Sequence, residues 1–480
     1  MDTTATDPRF LPPDCPDLRR LADRPGDAIL RAEAYAVAQE NHEVRNRLQD
    51  LNTIEEQQQD RRGVTRRRFV VGTAATVTAL ATTQFVSTRA SFGASPGGTL
   101  IHVFLFGGMD GLSLIEPTNA ADQQVLGRVR ERPLRIVTGD TLRLRPGPGA
   151  EPTFSLSHAF APLQPYLDSS QLGFIPGVSD PRLSRSHFQA TDACNLGGLP
   201  ADTGGRGFLD ALIDALGPGT AFRSVSIGST LSRSLVGTNG ALALSSVGSL
   251  NLRGEARFRG PTADAIRGLF TGINHPIEES VAAGLDALAT AQQLAATPYV
   301  PAAGVNYSPG RAPDDPRGVG QSFFELARLI KGGANVRVAT IGMGGYDTHE
   351  DQGTSEGGYL FNRLRELANA MRAFFDDLGP AGADVTVMVS TEFGRRVAQN
   401  GTGCDHGHGS VVTVLSGKPL ASSLLGRWGG LQTLDNGDVP EYNNLFDVFG
   451  SVMKGRFELT DAEVARVFPS RTFTPMTLFA

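Results

Sequence analysis

Asp405, His406 and His408 stand together in the run CDHGHG, in a chain with only eight histidines. Carboxylate beside imidazole at that density is the donor chemistry of a divalent cation site. A second pair, Asp347 and His349 in GGYDTHEDQ, is separated by one residue, as are His406 and His408. Alternate residues of an extended segment project to the same side, so each pair can chelate. Glu392 closes the apolar run VTVMVSTE, Asp110 follows IHVFLFGGM, and Ser184, Ser186 and His187 share the loop SRSHF. Such a donor set suits Zn²⁺ or Mn²⁺, or Mg²⁺ or Ca²⁺ where oxygen dominates.

Each piece has a plainer reading. Asp110 is a turn residue in GGMDG, Ser184 and Ser186 cap the helix that follows, and His187 is a structural histidine. Glu392 pairs with Arg395 or Arg396, and DTHEDQ opens a helix with acidic first-turn residues. What separates the groups from these readings is their common position at strand ends. His42, His102, His158 and His275 lie outside these loops and receive no role.

The elements that position these groups follow from hydrophobic patterning. Ile101–Phe106 is an almost unbroken apolar run, as expected of a strand covered on both faces, and Gly107-Gly108 ends it. LGFIPGVSD (172–180), NVRVATIGM, ADVTVMVSTE and SVVTVLSG read as further strands. FFELARLIKGG (323–333) and FNRLRELANAMRAFFDDLG (361–379) carry apolar residues at three- and four-residue spacing and read as helices, as does the Ala-rich stretch 277–296. Alternation of this kind predicts an α/β fold with a doubly wound, mostly parallel sheet and helices on both faces. Loops at the carboxyl edge of such a sheet gather residues distant in sequence. Residues 200–320 are less regular and read as loop-rich insertions over the sheet.

The bulk composition is that of a globular chain, with 40% hydrophobic and 20% charged residues among 480. A formal charge of -6 offers no basic footprint for nucleic acid. Three cysteines, Cys15, Cys194 and Cys404, are too few for a disulfide framework; Cys194 and Cys404 either pair or stay as thiols. Residues 65–94 hold TRRRFV followed by the mildly apolar VGTAATVTALATTQFV, which reads as a twin-arginine export signal. A membrane anchor or a buried helix is the alternative, although the apolar stretch is short for a span. Residues 1–64 read as a polar extension, helical or disordered, and 95–480 as a single domain. The expected location is periplasmic, cell-surface or extracellular. The translocase is the expected partner during export, with membrane contact only through an uncleaved signal.

The stretches FLFGGMDGLSLIEP, SRSHFQATD, GGYDTHEDQ and STEFGRRVAQNGTGCDHGHG resemble the DUF1501 proteins, over roughly residues 99–455. Those are typically twin-arginine exported and belong to the alkaline phosphatase/sulfatase superfamily. The resemblance implies an alkaline-phosphatase-like sheet with a metal-dependent hydrolase site holding one or two ions. It implies Asp110 as a first-strand metal ligand, and Ser186, in preference to Ser184, as a metal-activated nucleophile. Asp347 and His349 take the place of an Asp–His ligand pair, Glu392 and Phe393 the place of a second, and His406 or His408 that of a late histidine. Asp405 and the extra histidine compensate for Phe393, which ligates nothing. The ligand spacing is one residue instead of three, and the proline of the sulfatase signature is missing from LSRSHF. Arg185 is then the clamp for an anion. The expected activity is hydrolysis of a small phosphate or sulfate ester. The alternative is a non-catalytic cell-surface or binding protein that keeps the fold.

Overall fold

The computed structural model describes residues 97–480, apart from 137–141, 148, 152, 253–254, 274, 276, 297, 309–317 and 470. The export segment, the polar extension and Cys15 lie outside the described residues. The chain divides into Met1–Gly72 and Thr73–Ala480, and every described residue belongs to the second unit.

Eleven strands form among the described residues. In chain order they are β1 (Thr99–Leu105), β2 (Ile115–Pro117), β3 (Leu142–Leu144), β4 (Phe154–Leu156), β5 (Leu172–Ser179), β6 (Ser224–Ile227), β7 (Leu242–Leu244), β8 (Val338–Met343), β9 (Val385–Thr391), β10 (Ser410–Ser416) and β11 (Asn443–Asn444). Eight make one sheet in the order β11-β5-β10-β9-β1-β8-β6-β7, and β2-β4-β3 make a small antiparallel one. Every neighbouring pair in the large sheet is parallel except the two that involve β10.

The sidedness of β1 explains why helices cover both faces. Ile101, Val103 and Leu105 pack into one core with the helices Val319–Lys331 and Tyr359–Leu378. Leu100 and Phe104 point the other way, into a second core with Phe208–Leu216 and Leu445–Phe457. A strand buried on both sides loses the polar alternation of a half-exposed one. On Tyr359–Leu378, Leu360, Leu364, Leu367, Met371 and Phe374 recur at helical spacing and are all buried. Each buried side chain of this size is worth about 1.5–3 kcal/mol.

The antiparallel strand matters most for the site. Strands β1, β5, β8 and β9 end at one edge of the sheet; β10 runs against them and therefore begins there. The residues just before Ser410 are thus delivered to the edge where the other four strands finish. Residues 200–320 differ from expectation, because they supply β6 and β7 to the large sheet. β6 is only SVSI, too short and too polar to stand out, yet Ser226 is buried and Thr340 Oγ1 donates to its Oγ at 3.1 Å. Cys194 and Cys404 are both buried free thiols. Among the described residues no helix is long and apolar enough to cross a membrane.

Candidate metal centre

Four loops at the carboxyl edge build the centre, and close backbone contacts set their positions. Past β1, Gly107 has φ +119°, and a Cβ there would lie 2.3 Å from the backbone nitrogen of Asp347. Only glycine lets the two turns pass so closely. Past β9, Glu392–Arg396 runs beside Asp405–Gly409: Arg396 N donates to Asp405 O at 2.9 Å, Gly407 N to Gly394 O at 2.8 Å, and Gly394 N to His408 O at 2.7 Å. A Cβ on Gly407 would strike the Arg395 backbone at 2.6 Å, so the ladder needs glycine. It is this ladder that aims His406.

Arg395 locks the loops together. Its guanidinium is fully buried and donates to the carbonyls of Gly107, Gly108, Tyr346 and Cys404, and to Asp347 Oδ1 at 2.6 Å. The ion pair that the sequence suggests for Arg395 is a buried structural one, made with Asp347. Nothing in its sequence neighbourhood distinguishes it from the adjacent Arg396, whose side chain is 39% exposed.

His187, Asp347 and His406 bring ligand atoms within 4.8 Å of one another. His187 Nε2 lies 3.4 Å from Asp347 Oδ2, and His406 Nε2 lies 3.2 Å from Asp347 Oδ1. Ligands about 2.1 Å from a shared tetrahedral ion stand roughly 3.4 Å apart. The other nitrogen of each imidazole is engaged. His187 Nδ1 is 2.7 Å from Glu392 Oε1, and His406 Nδ1 is 3.0 Å from the carbonyl of Arg185. A ring that donates through Nδ1 presents a lone pair at Nε2, the arrangement found around bound metals. His187 Nε2 is buried and makes no hydrogen bond, so this nitrogen is an orphan facing the carboxylate. The donor set and this orphan fit a divalent cation.

The remaining expected residues fall around this trio at different depths. His349 Nε2 is 3.1 Å from Asp347 Oδ1 and 3.0 Å from His406 Nε2, so it adjoins the trio, and Asp405 Oδ1 lies 3.3 Å from its Nδ1. Among the described residues Asp405 meets the trio through His349. Glu392 is buried and accepts from Gly107 N at 2.8 Å and Thr391 Oγ1 at 2.9 Å as well as contacting His187. It orients a ring and is not among the three gathered donors. His408 is turned away, 3.8 Å from Asp435 Oδ2. Phe393 forms an apolar floor, its ring 4.9 Å from that of His187 and 4.8 Å from that of His406.

Asp110 is placed apart from the trio. It caps the short helix Gly111–Leu114 and receives both terminal nitrogens of Arg130, at 2.7 and 3.1 Å, plus Ser113 Oγ at 2.6 Å and Gln352 Nε2 at 2.8 Å. Burial favours its neutral form, but the Arg130 charge and these donors hold its pKa below the ordinary value. Gln352 continues the chain by accepting from Thr348 Oγ1 at 2.9 Å, between Asp347 and His349. Asp110 thus braces the loop that carries Asp347.

The electrostatics agree with an ionised carboxylate in the trio. Burial would raise the pKa of Asp347, but the hydrogen bond from Arg395, the contact with His406 and the Arg395 charge bring it to about 2. The Glu392 contact raises His187 despite partial desolvation, whereas burial lowers His406. Ser186 sits at the N-cap of the helix His187–Leu196 and its side chain makes no capping bond. Its backbone N donates instead to Ser184 Oγ at 3.2 Å, so of the two hydroxyls Ser184 is the one occupied. The Arg185 guanidinium is 3.4 Å from the buried carboxylate of Asp438.

From its residue neighbourhood alone His187 reads as a structural histidine, whereas the fold groups it with Asp347 and His406. Its signal was position: it shares a strand-end loop with the candidate nucleophile.

Fold and site together describe an α/β protein whose sheet edge carries a candidate His–Asp–His metal centre. Residues 201–433 match the model of a family described as a protein of unknown function, DUF1501. That span is narrower than the motif resemblance over 99–455; it includes Asp347, Glu392 and His406 and leaves out Ser186 and His187. No curated protein matches the chain. A solved structure of a 2-O GAG sulfatase is similar at a TM-score of 0.29 and 11% identity, covering 79% of this chain and 76% of that one.

Proposed function

We propose that the chain is a metal-dependent hydrolase of phosphate or sulfate esters, with His187, Asp347 and His406 holding the cation and Ser186 as nucleophile. The observation that carries this reading is the partnerless Nε2 of His187, buried and facing a carboxylate held ionised. When bound, a divalent cation supplies Lewis-acid stabilisation of a developing oxyanion and lowers the pKa of a hydroxyl beside it. The chain's own residues prepare the rest. Glu392 and the Arg185 carbonyl keep the Nδ1 protons of His187 and His406, so that Nε2 of each stays free for ligation. Arg395 holds Asp347 in place and keeps it charged. Ser186 stands at the start of a ten-residue helix, where backbone N–H groups and the helix dipole favour an anion. Phe393 keeps the floor of the site apolar, which strengthens charge interactions above it. Export by the twin-arginine route remains part of the proposal and rests on Arg66–Arg68 and the stretch after them.

The test is a panel of p-nitrophenyl phosphate, bis(p-nitrophenyl) phosphate and p-nitrophenyl sulfate, assayed with added Zn²⁺, Mn²⁺, Mg²⁺ or Ca²⁺. Turnover of at least one ester, lost in Ser186→Ala while metal is retained, supports the reading. Metal retained without turnover of any ester supports the non-catalytic alternative.

A further inference from the structure

At the amino edge of the same sheet lies a cleft of about 510 Å³ that plays no part in the chemistry above. Gly97 and Gly98 enter it ahead of β1, Arg337 precedes β8, and Lys418 follows β10, whose reversed direction returns the chain to this edge. Arg456 lies beside them in the last turn of Leu445–Phe457. A volume of this size is ordinary for a small-molecule site.

Two buried guanidinium groups in the wall are short of partners. Arg337 is 8% exposed, and the one hydrogen bond its side chain makes among the described residues runs from Nε to Gly98 O at 3.3 Å. No carboxylate of a described residue pairs with it, and its cation rests over the Phe457 ring at 5.5 Å. Arg456 is 3% exposed, with a buried Nε that has no partner. Among the described residues it forms one ion pair, with Asp384 at 3.3 Å, a side chain 81% exposed, and its Nη1 donates to Ala383 O at 3.3 Å. The other acids nearby are committed: Glu458 pairs with Lys418 at 3.1 Å, and Glu463 accepts from Thr460 N at 2.8 Å. Burial lowers the pKa of both arginines. Buried cations with spare N–H groups are costly until an anion with matching acceptors arrives. Ala215, Leu216 and Leu459 add apolar surface to a lining that is otherwise largely polar.

We propose that this cleft binds a small organic oxyanion, its carboxylate or phosphate head on Arg337 and Arg456 and its apolar body against Leu216 and Leu459. The site is independent of the metal centre. The test is calorimetric titration of the full chain with benzoate, phenyl phosphate and inorganic phosphate. One equivalent of benzoate or phenyl phosphate is expected at the cleft, counted in chelator-stripped protein so that the metal centre takes up no ester, the tighter of the two identifying the head, with inorganic phosphate at least tenfold weaker. Binding is expected unchanged in Asp347→Ala, which disables the metal centre, and at least tenfold weaker in Arg337→Gln. Should Arg337→Gln not fold, Ala215→Trp, which fills the cleft, is expected to give the same loss. Absence of binding by both organic anions overturns the proposal. So does affinity undiminished in the cleft variant, affinity lost in Asp347→Ala, or inorganic phosphate bound as tightly as phenyl phosphate.

Discussion

His187 Nδ1 lies 2.7 Å from Glu392 Oε1, and this contact decides which nitrogen of the ring is left to face Asp347. Two residues 205 positions apart are joined because β5 and β9 finish at the same edge of the sheet. The carboxylate is fixed in turn by the Gly107 amide and the Thr391 hydroxyl, so the ring is held from the scaffold and not from the loop.

Glu392→Gln should therefore leave the ligands in place but loosen their aim. Outer carboxylates behind metal-bound histidines typically contribute 10- to 100-fold in affinity. Competition with a chromophoric chelator should show Zn²⁺ affinity falling by that factor at unchanged stoichiometry. Unchanged affinity would remove Glu392 from the account.

Asp110→Asn should act on stability and spare metal stoichiometry. It leaves the buried Arg130 without its counter-charge, and breaking a buried pair on one side costs about 3–5 kcal/mol. Asp110→Asn/Arg130→Met should recover most of the loss in urea unfolding. Loss of the metal from a folded Asp110→Asn protein would mark the residue as a ligand after all.

Much of the fold was legible because doubly covered strands spell themselves as apolar runs: Leu172–Ser179 and Val385–Thr391 are buried at every position. The helix 277–296 matches its expected span as well. β6 and the edge strand β7 were not, since three or four residues carry no usable period. At the site, types and strand-end positions pointed to Asp347 and His406. Sequence could not separate donors from the groups behind them, because Glu392 and Asp405 differ from Asp347 only in what the folded loops place beside them. The orientation of β10 was equally hidden, since an apolar run reads the same in either direction.

His102 makes the fold sensitive to acid. It lies in β1 among Phe104, Phe208 and Phe449, 2.8 Å from Ser390 Oγ, and burial lowers its pKa from 6.5 to about 3. Between those values the unfolded chain binds a proton that the folded one refuses. Stability should thus fall as pH drops from 6.5 towards 3, by about 1.4 kcal/mol per unit from this group. Urea unfolding of wild type and His102→Gln across that window should show a shallower slope in the variant; parallel slopes would contradict this.

Asp377 ties an irregular segment to the helix Tyr359–Leu378. It accepts from Tyr299 Oη at 2.6 Å, Tyr307 Oη at 2.7 Å and Ala302 N at 2.8 Å, and pairs with Lys331 at 2.8 Å. Asp377→Ala strands these donors at about 1–3 kcal/mol for each one buried. Limited proteolysis should cut near 299–307 in the variant while the sheet core persists. An unaltered digestion pattern would show the segment held by other contacts.

The central claim is that His187, Asp347 and His406 together hold a divalent cation, and metal analysis of chelator-stripped protein reloaded with Zn²⁺ tests it most directly. Wild type should take up at least one tightly held ion per chain, and His187→Ala, Asp347→Ala and His406→Ala, each confirmed as folded by circular dichroism, should lose it. A wild-type chain that binds none, or three folded variants that bind as wild type does, would contradict the account.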